Sequence, residues 1–155
     1  MAFSYNYVLA SGVVGWAAAQ VIKTLLYTFT RHTFKAERLV GSGGMPSSHS
    51  SLVTAALVAT GIHNGVESTE FALAFILAMI VMYDAMGVRR AAGLHAQEIN
   101  RMNRLFDFKF KDLIDTVSEE SSKKRKELKE FLGHNPLEVF VGAVLGVIIA
   151  LVMPR

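Results

Sequence analysis

Cysteine is absent from the 155 residues, proline occurs three times and tryptophan once. Without cysteine the chain forms no disulfide and offers no thiolate to a metal, and its redox compartment is left open. Basic residues are missing from two long stretches. No Lys or Arg precedes Lys23, and none lies between Arg38 and Arg89. The first gap removes the charged start of a cleavable secretion signal, although Ala17-Ala18-Ala19 looks like a cleavage site, and the apolar run there is longer than a signal's core. That run is therefore expected to be a true membrane span.

What the chain does have is apolar sequence in blocks. Hydrophobic residues make up 52% and the mean hydropathy is +0.35. Several windows are apolar on all sides, which suits lipid or a fully buried helix rather than the two-sided helices of a soluble domain. The expected spans are residues 8–29, 46–62, 71–88 and 137–153 within one domain covering 1–155. At 1.5 Å per residue such segments reach roughly 25–33 Å, enough for a bilayer core. The second segment is rich in Ser and Thr and is expected inside the bundle rather than against lipid. The predicted fold class is thus all-α: a polytopic membrane helical bundle of about four transmembrane helices, with amphipathic or soluble helices in the third loop.

Charge placement sets an expected orientation. The net charge of +3 and pI near 9.3 do not point to nucleic acid, because the basic residues sit in connections between apolar runs, where they read as topology and contact with anionic headgroups. Of the 16 Lys and Arg, fourteen fall in loops one and three, while Glu67 and Glu70 occupy loop two. By the positive-inside rule loops one and three are cytoplasmic and both termini lie outside, most simply in a bacterial plasma membrane. Loop three holds an expected helical excursion over about 91–132. Ile99, Met102, Leu105 and Phe106 form one stripe at helical spacing, Phe110, Leu113, Ile114 and Val117 another, both suited to a helix lying on the membrane or against the bundle. Ser118 can cap a charged, solvated helix running to Lys129.

Three polar stretches carry the chemistry. Gly41-Ser42-Gly43-Gly44-Met45-Pro46-Ser47-Ser48-His49 leads a glycine-rich loop into a helix, with Pro46 suited to its first turn. Free amides, the positive end of a helix dipole and the Ser47 and Ser48 hydroxyls make an anion site there, with His49 as a titratable neighbour; the same residues also make an ordinary helix cap. Tyr83-Asp84-Ala85-Met86-Gly87-Val88-Arg89-Arg90 ends the third span. Asp84 either pairs with an arginine at the membrane interface or holds one in place to neutralise phosphate. Lys23, inside the first span, carries the same two readings. In Gly133-His134-Asn135-Pro136-Leu137-Glu138, Asn135, Pro136 and Glu138 can cap the last span, and Glu138, four residues after His134, can also orient its imidazole as a nucleophile. Gly142 and Gly146 allow close helix packing behind it. With four spans, Lys23, His49, Asp84 to Arg90 and His134 all converge on one membrane face, the outline of a phosphate-transfer site.

At these residues the chain resembles the divergent PAP2 family, proteins related to acid phosphatases and vanadium haloperoxidases. The matching stretches are Gly43 to Ser50, Tyr83 to Arg90 and Leu132 to Val139, and the resemblance covers nearly the whole chain. Pro46-Ser47-Ser48-His49 is similar to the superfamily's Pro-Ser-Gly-His, which implies that His49 protonates the leaving group. His134-x3-Glu138 resembles the superfamily's His-x3-Asp, which implies a phosphorylated nucleophile at His134 oriented by Glu138. The arginine expected six residues before that nucleophile is replaced by Leu128, and Arg89 or Arg90 would have to substitute from another helix. A second match, Arg89-x5-His95, has Ile99 where the acid belongs. The Lys-x6-Arg-Pro motif is also altered: Lys23 and Arg31 are one residue too far apart and no proline follows.

The expectation is a membrane lipid-phosphate phosphatase acting on a polyprenyl or glycerolipid phosphate or diphosphate through a phosphohistidine. Its catalytic residues would be His134, His49 and Glu138. Lys23, Gly44, Ser47, Ser48, Arg89 and Arg90 would bind phosphate, with Asp84 in support. No cofactor or metal is called for, since the chain lacks a carboxylate cluster suited to Mg²⁺. The expected partners are the phosphorylated lipid, the bilayer and, because superfamily membrane members have six helices, a second copy in a homodimer. The rival is a non-catalytic PAP2-like protein that binds or translocates phosphorylated lipids.

Overall fold

The computed structural model describes residues 6–31, 44–109, 128 and 133–154. These form five helices: α1 (Tyr7–Arg31), α2 (Ser48–Asn64), α3 (Thr69–Met86), α4 (Val88–Lys109) and α5 (Pro136–Val152). No strand occurs among the described residues. The protein is an all-α membrane helical bundle. Tyr7–Thr30 and the stretch Thr69–Phe106 are each long and apolar enough to cross a bilayer, and Pro136–Val152 is a shorter apolar helix. The second apolar stripe, Phe110 to Val117, and the helix expected from Ser118 to Lys129 lie outside the described residues, Leu128 excepted, as does the loop segment Gly41 to Gly43.

The starts of α1, α2 and α3 are each set by a short polar residue. Asn6 Oδ1 accepts from Leu9 N at 3.0 Å, Ser47 Oγ from Ser50 N at 3.4 Å and Ser68 Oγ from Phe71 N at 3.2 Å. These satisfy amides that have no partner within their own helix. Pro46 stands outside α2 rather than in its first turn as expected, because Ser47 holds the N-cap and the helix opens at Ser48. α4 opens at Val88, one residue after Gly87 closes α3, so the excursion begins three residues earlier than the apolar pattern places it.

α2 is the hub. It packs against α1, α3 and α5, while α1 also meets α5 and α3 touches α4 and α5 only lightly. Its buried face is Ser48, Ser50, Ser51, Val53, Thr54, Ala55, Ala59 and Thr60, small residues that let neighbouring backbones come close. Ser51 Oγ donates to Gly15 O on α1 at 2.8 Å. On the other side Gly142 lies over the Ser47 carbonyl and Gly146 over the Ser51 carbonyl, and a Cβ at either glycine would overlap those backbone oxygens. Tyr7 OH donates to Ala150 O at 2.6 Å, tying the start of α1 to the end of α5.

The outward surface is apolar. Leu73, Phe75, Ile76, Leu77, Met79 and Ile80 of α3 are all exposed, as are Val13, Leu25 and Phe29 of α1 and Phe140, Ile148 and Leu151 of α5. Polar side chains inside and bulky apolar ones outside is the inverse of a soluble bundle and the arrangement that lipid favours.

Candidate functional site

The starts of α2 and α5 and the end of α3 meet at one end of the bundle. α5 is fastened there by its main chain: Ser47 N donates to Glu138 O at 2.9 Å and His134 N to Ala85 O at 3.0 Å. Gly133 makes the second bond reachable. It adopts φ 87°, and it sits so close to Arg90 N and Cα that a Cβ would overlap them. The two contacts fix His134 against α3 and place it, 5% exposed, at the wall of a cavity of about 220 Å³.

That cavity is lined by His49, Asp84, Arg89, Gly133 and His134 with Ile80, Val81 and Ala85 as its apolar side. His134 Nδ1 contacts Glu138 Oε2 at 2.9 Å. A carboxylate only accepts, so the proton belongs on Nδ1 and Nε2 keeps its lone pair. The same Glu138 oxygen accepts from Asn135 N at 3.2 Å, so the capping role and the orienting role read from the sequence are held together by one atom. Arg89 Nε donates to Asp84 Oδ2 at 2.6 Å, with both side chains partly exposed. His49 is exposed on the first turn of α2, and Arg89, His134 and Lys23 all lie near enough to act on its ring electrostatically.

Other expected site residues surround the cavity without lining it. Lys23 is buried and packs its chain along Gly44, which has φ 85°. Ser47 and Ser48 are buried at the helix start, and Ser50 Oγ donates to Ser47 Oγ at 2.9 Å. Arg90 contributes backbone against Gly133, and its exposed side chain is not part of the lining. His95 is exposed on α4 and away from the cavity. Leu128 exchanges two hydrogen bonds with the Asn100 side chain, Nδ2 to Leu128 O at 2.9 Å and Leu128 N to Oδ1 at 3.0 Å, which docks this position on α4. Among the described residues no group of three His, Asp or Glu is placed to hold a metal ion.

Ile80, Val81 and Ala85 belong to the cavity and were not singled out from the sequence. Ala85 is the informative one: a small residue that lets α5 approach at the end of a bulky apolar run.

The fold and site define a membrane helical bundle with a histidine- and arginine-lined cavity at one end. The chain belongs to the divergent PAP2 family, whose model matches residues 4–149. It is 38% identical over 148 residues to a Bacillus subtilis (strain 168) protein described as the uncharacterized membrane protein YuiD, covering 96% of this chain and 94% of that one. No solved structure matches the chain.

Proposed function

We propose that the protein is a lipid-phosphate phosphatase that works through a phosphohistidine. The observation that carries this reading is the His134–Glu138 pair at 2.9 Å, with His134 lining one cavity together with Arg89 and His49. His134 Nε2 attacks phosphorus; the N–P bond forms as the bond to the lipid oxygen breaks, and His49 gives that oxygen its proton. His49 then takes a proton from water as it attacks phosphorus, the N–P bond breaks, and inorganic phosphate leaves. Arg89, held by Asp84, offers a planar fork to the equatorial oxygens, and Lys23 with the amides from Gly44 to Ser48 adds positive potential at the same end. Polyprenyl and glycerolipid phosphates or diphosphates fit a phosphate site at the membrane surface with an apolar side formed by Ile80, Val81 and Ala85. With the basic loops cytoplasmic, as their charge implies, the proposed site faces the cytoplasm.

A second reading has its own support. Leu128 stands where the superfamily has an arginine, and Arg90 does not line the cavity. With one guanidinium at the phosphate, binding or translocation without hydrolysis is the alternative. Phosphate release by the purified protein from a panel of polyprenyl and glycerolipid phosphates, with His134→Ala as the blank, separates them. Release that vanishes in the variant is expected. No release across the panel, with the same lipids still bound, would replace the enzyme by a lipid-binding protein.

A further inference from the structure

The opposite end of the bundle holds a larger space. α1 and α3 both pack on α2 but make no contact with one another among the described residues. Along the α1 side of α2 lies a groove of about 1000 Å³, lined by Leu52, Ala56 and Thr60 of α2 and by Leu9 and Val13 of α1, with Glu70 the one α3 residue among its described lining. It runs along α2 from Leu52 to Asn64, about 18 Å at 1.5 Å per residue, roughly the depth of one leaflet's hydrocarbon. Its mouth is polar: Asn6, His63, Asn64 and Glu70 meet there. Bulk water does not fill an apolar groove at hydrocarbon depth, so a lipid chain is its natural occupant.

The mouth also selects the headgroup. No Lys or Arg lines the groove, and the sequence has none in the first 22 residues or between Arg38 and Arg89. Its one formal charge is the exposed carboxylate of Glu70. An anionic headgroup would meet like charge with no Lys or Arg among the described lining residues to offset it, whereas an ammonium group would meet a carboxylate with amide and imidazole neighbours. We propose that this groove is a lipid-binding site for an amine-bearing phospholipid of the leaflet facing away from the candidate phosphatase site. The seat is separate from the His134 cavity and shares no lining residue with it.

The test uses the full-length protein reconstituted in vesicles of equal phosphatidylethanolamine and phosphatidylglycerol, with one or the other carrying a photoactivatable acyl chain. Cross-linked peptides are then mapped. Labelling of α1 and α2 around Val13 and Leu52 is expected to favour phosphatidylethanolamine by about fivefold, the ratio set by one charge at a membrane surface. Val13→Trp fills the groove from an exposed position and should remove this labelling, while Glu70→Lys should reverse the headgroup preference. Circular dichroism of both variants should match the parent, since neither position is buried. Equal labelling by the two lipids, or labelling that survives Val13→Trp, overturns the proposal. So does an efficient disulfide between copies carrying Val13→Cys, which would give the groove to a second copy of this chain.

Discussion

Glu138 Oε2 receives His134 Nδ1 at 2.9 Å while also accepting the Asn135 amide, so one carboxylate oxygen both starts α5 and decides which imidazole nitrogen is left to react. The two duties separate on substitution. Glu138→Gln keeps an acceptor for the amide but weakens the hold on the ring, and turnover should fall by roughly 10²–10⁴-fold with little change in melting. Glu138→Ala should lose comparable activity and, in addition, about 1 kcal/mol of stability with the cap. Phosphate-release kinetics and thermal unfolding in detergent, run on both variants, give the comparison.

Arg89 is held by Asp84 through a pair that is half in solvent, so the pair adds little to stability. The proposed phosphate-binding role is tested in kinetics. Arg89→Lys should be nearly as damaging as Arg89→Ala, because an ammonium cannot reproduce a two-pronged contact with phosphate. Arg90→Ala should change kcat/KM much less. Equal losses at the two positions would mean that both side chains reach the substrate.

Glycines on α5 and α1 differ in how much room they have. Gly142 and Gly146 face backbone carbonyls of α2 with no space for a methyl group, whereas a Cβ at Gly12 meets Leu52 and Ala56 at 3.4–3.8 Å, ordinary contact. Gly142→Ala and Gly146→Ala should each destabilise by about 1–3 kcal/mol, and Gly12→Ala should be near neutral. Unfolding midpoints of the three variants measure this.

The lack of cysteine makes the topology directly accessible, since any introduced thiol is the only one. With loop three in the cytoplasm, Glu67→Cys in the α2–α3 turn should react with a membrane-impermeant maleimide in intact cells, and Arg101→Cys on α4 only after lysis. The reverse pattern would invert the orientation that the charge distribution implies.

The helices were legible because apolar runs and capping residues mark the same places. α1 begins one residue before the expected span and α5 one residue before the last, with Asn135 as its cap. Pro46 misled by two residues because proline fits both inside a first turn and just ahead of a serine cap. The His134–Glu138 pairing was readable from a spacing of four residues across the start of α5, and Asp84–Arg89 from an acid followed by arginines. Arg90 was not separable from its neighbour, because only the approach of Gly133 shows which arginine gives up its backbone. The groove along α1 and α2 could not be read at all, because it depends on which faces the two helices turn toward each other, and that leaves no mark on either one's sequence.

Ser47 is held to α5 twice through its main chain, by its amide on Glu138 O and by its carbonyl beneath Gly142. Helix α2, which carries His49, and the start of α5, which His134 precedes, are therefore registered to each other by peptide groups rather than by side chains. Their relative position is insulated from most sequence drift: side chains around the junction can change in size and chemistry across descendants while the spacing of the two rings persists. The glycine that admits the carbonyl is a point where that insulation ends.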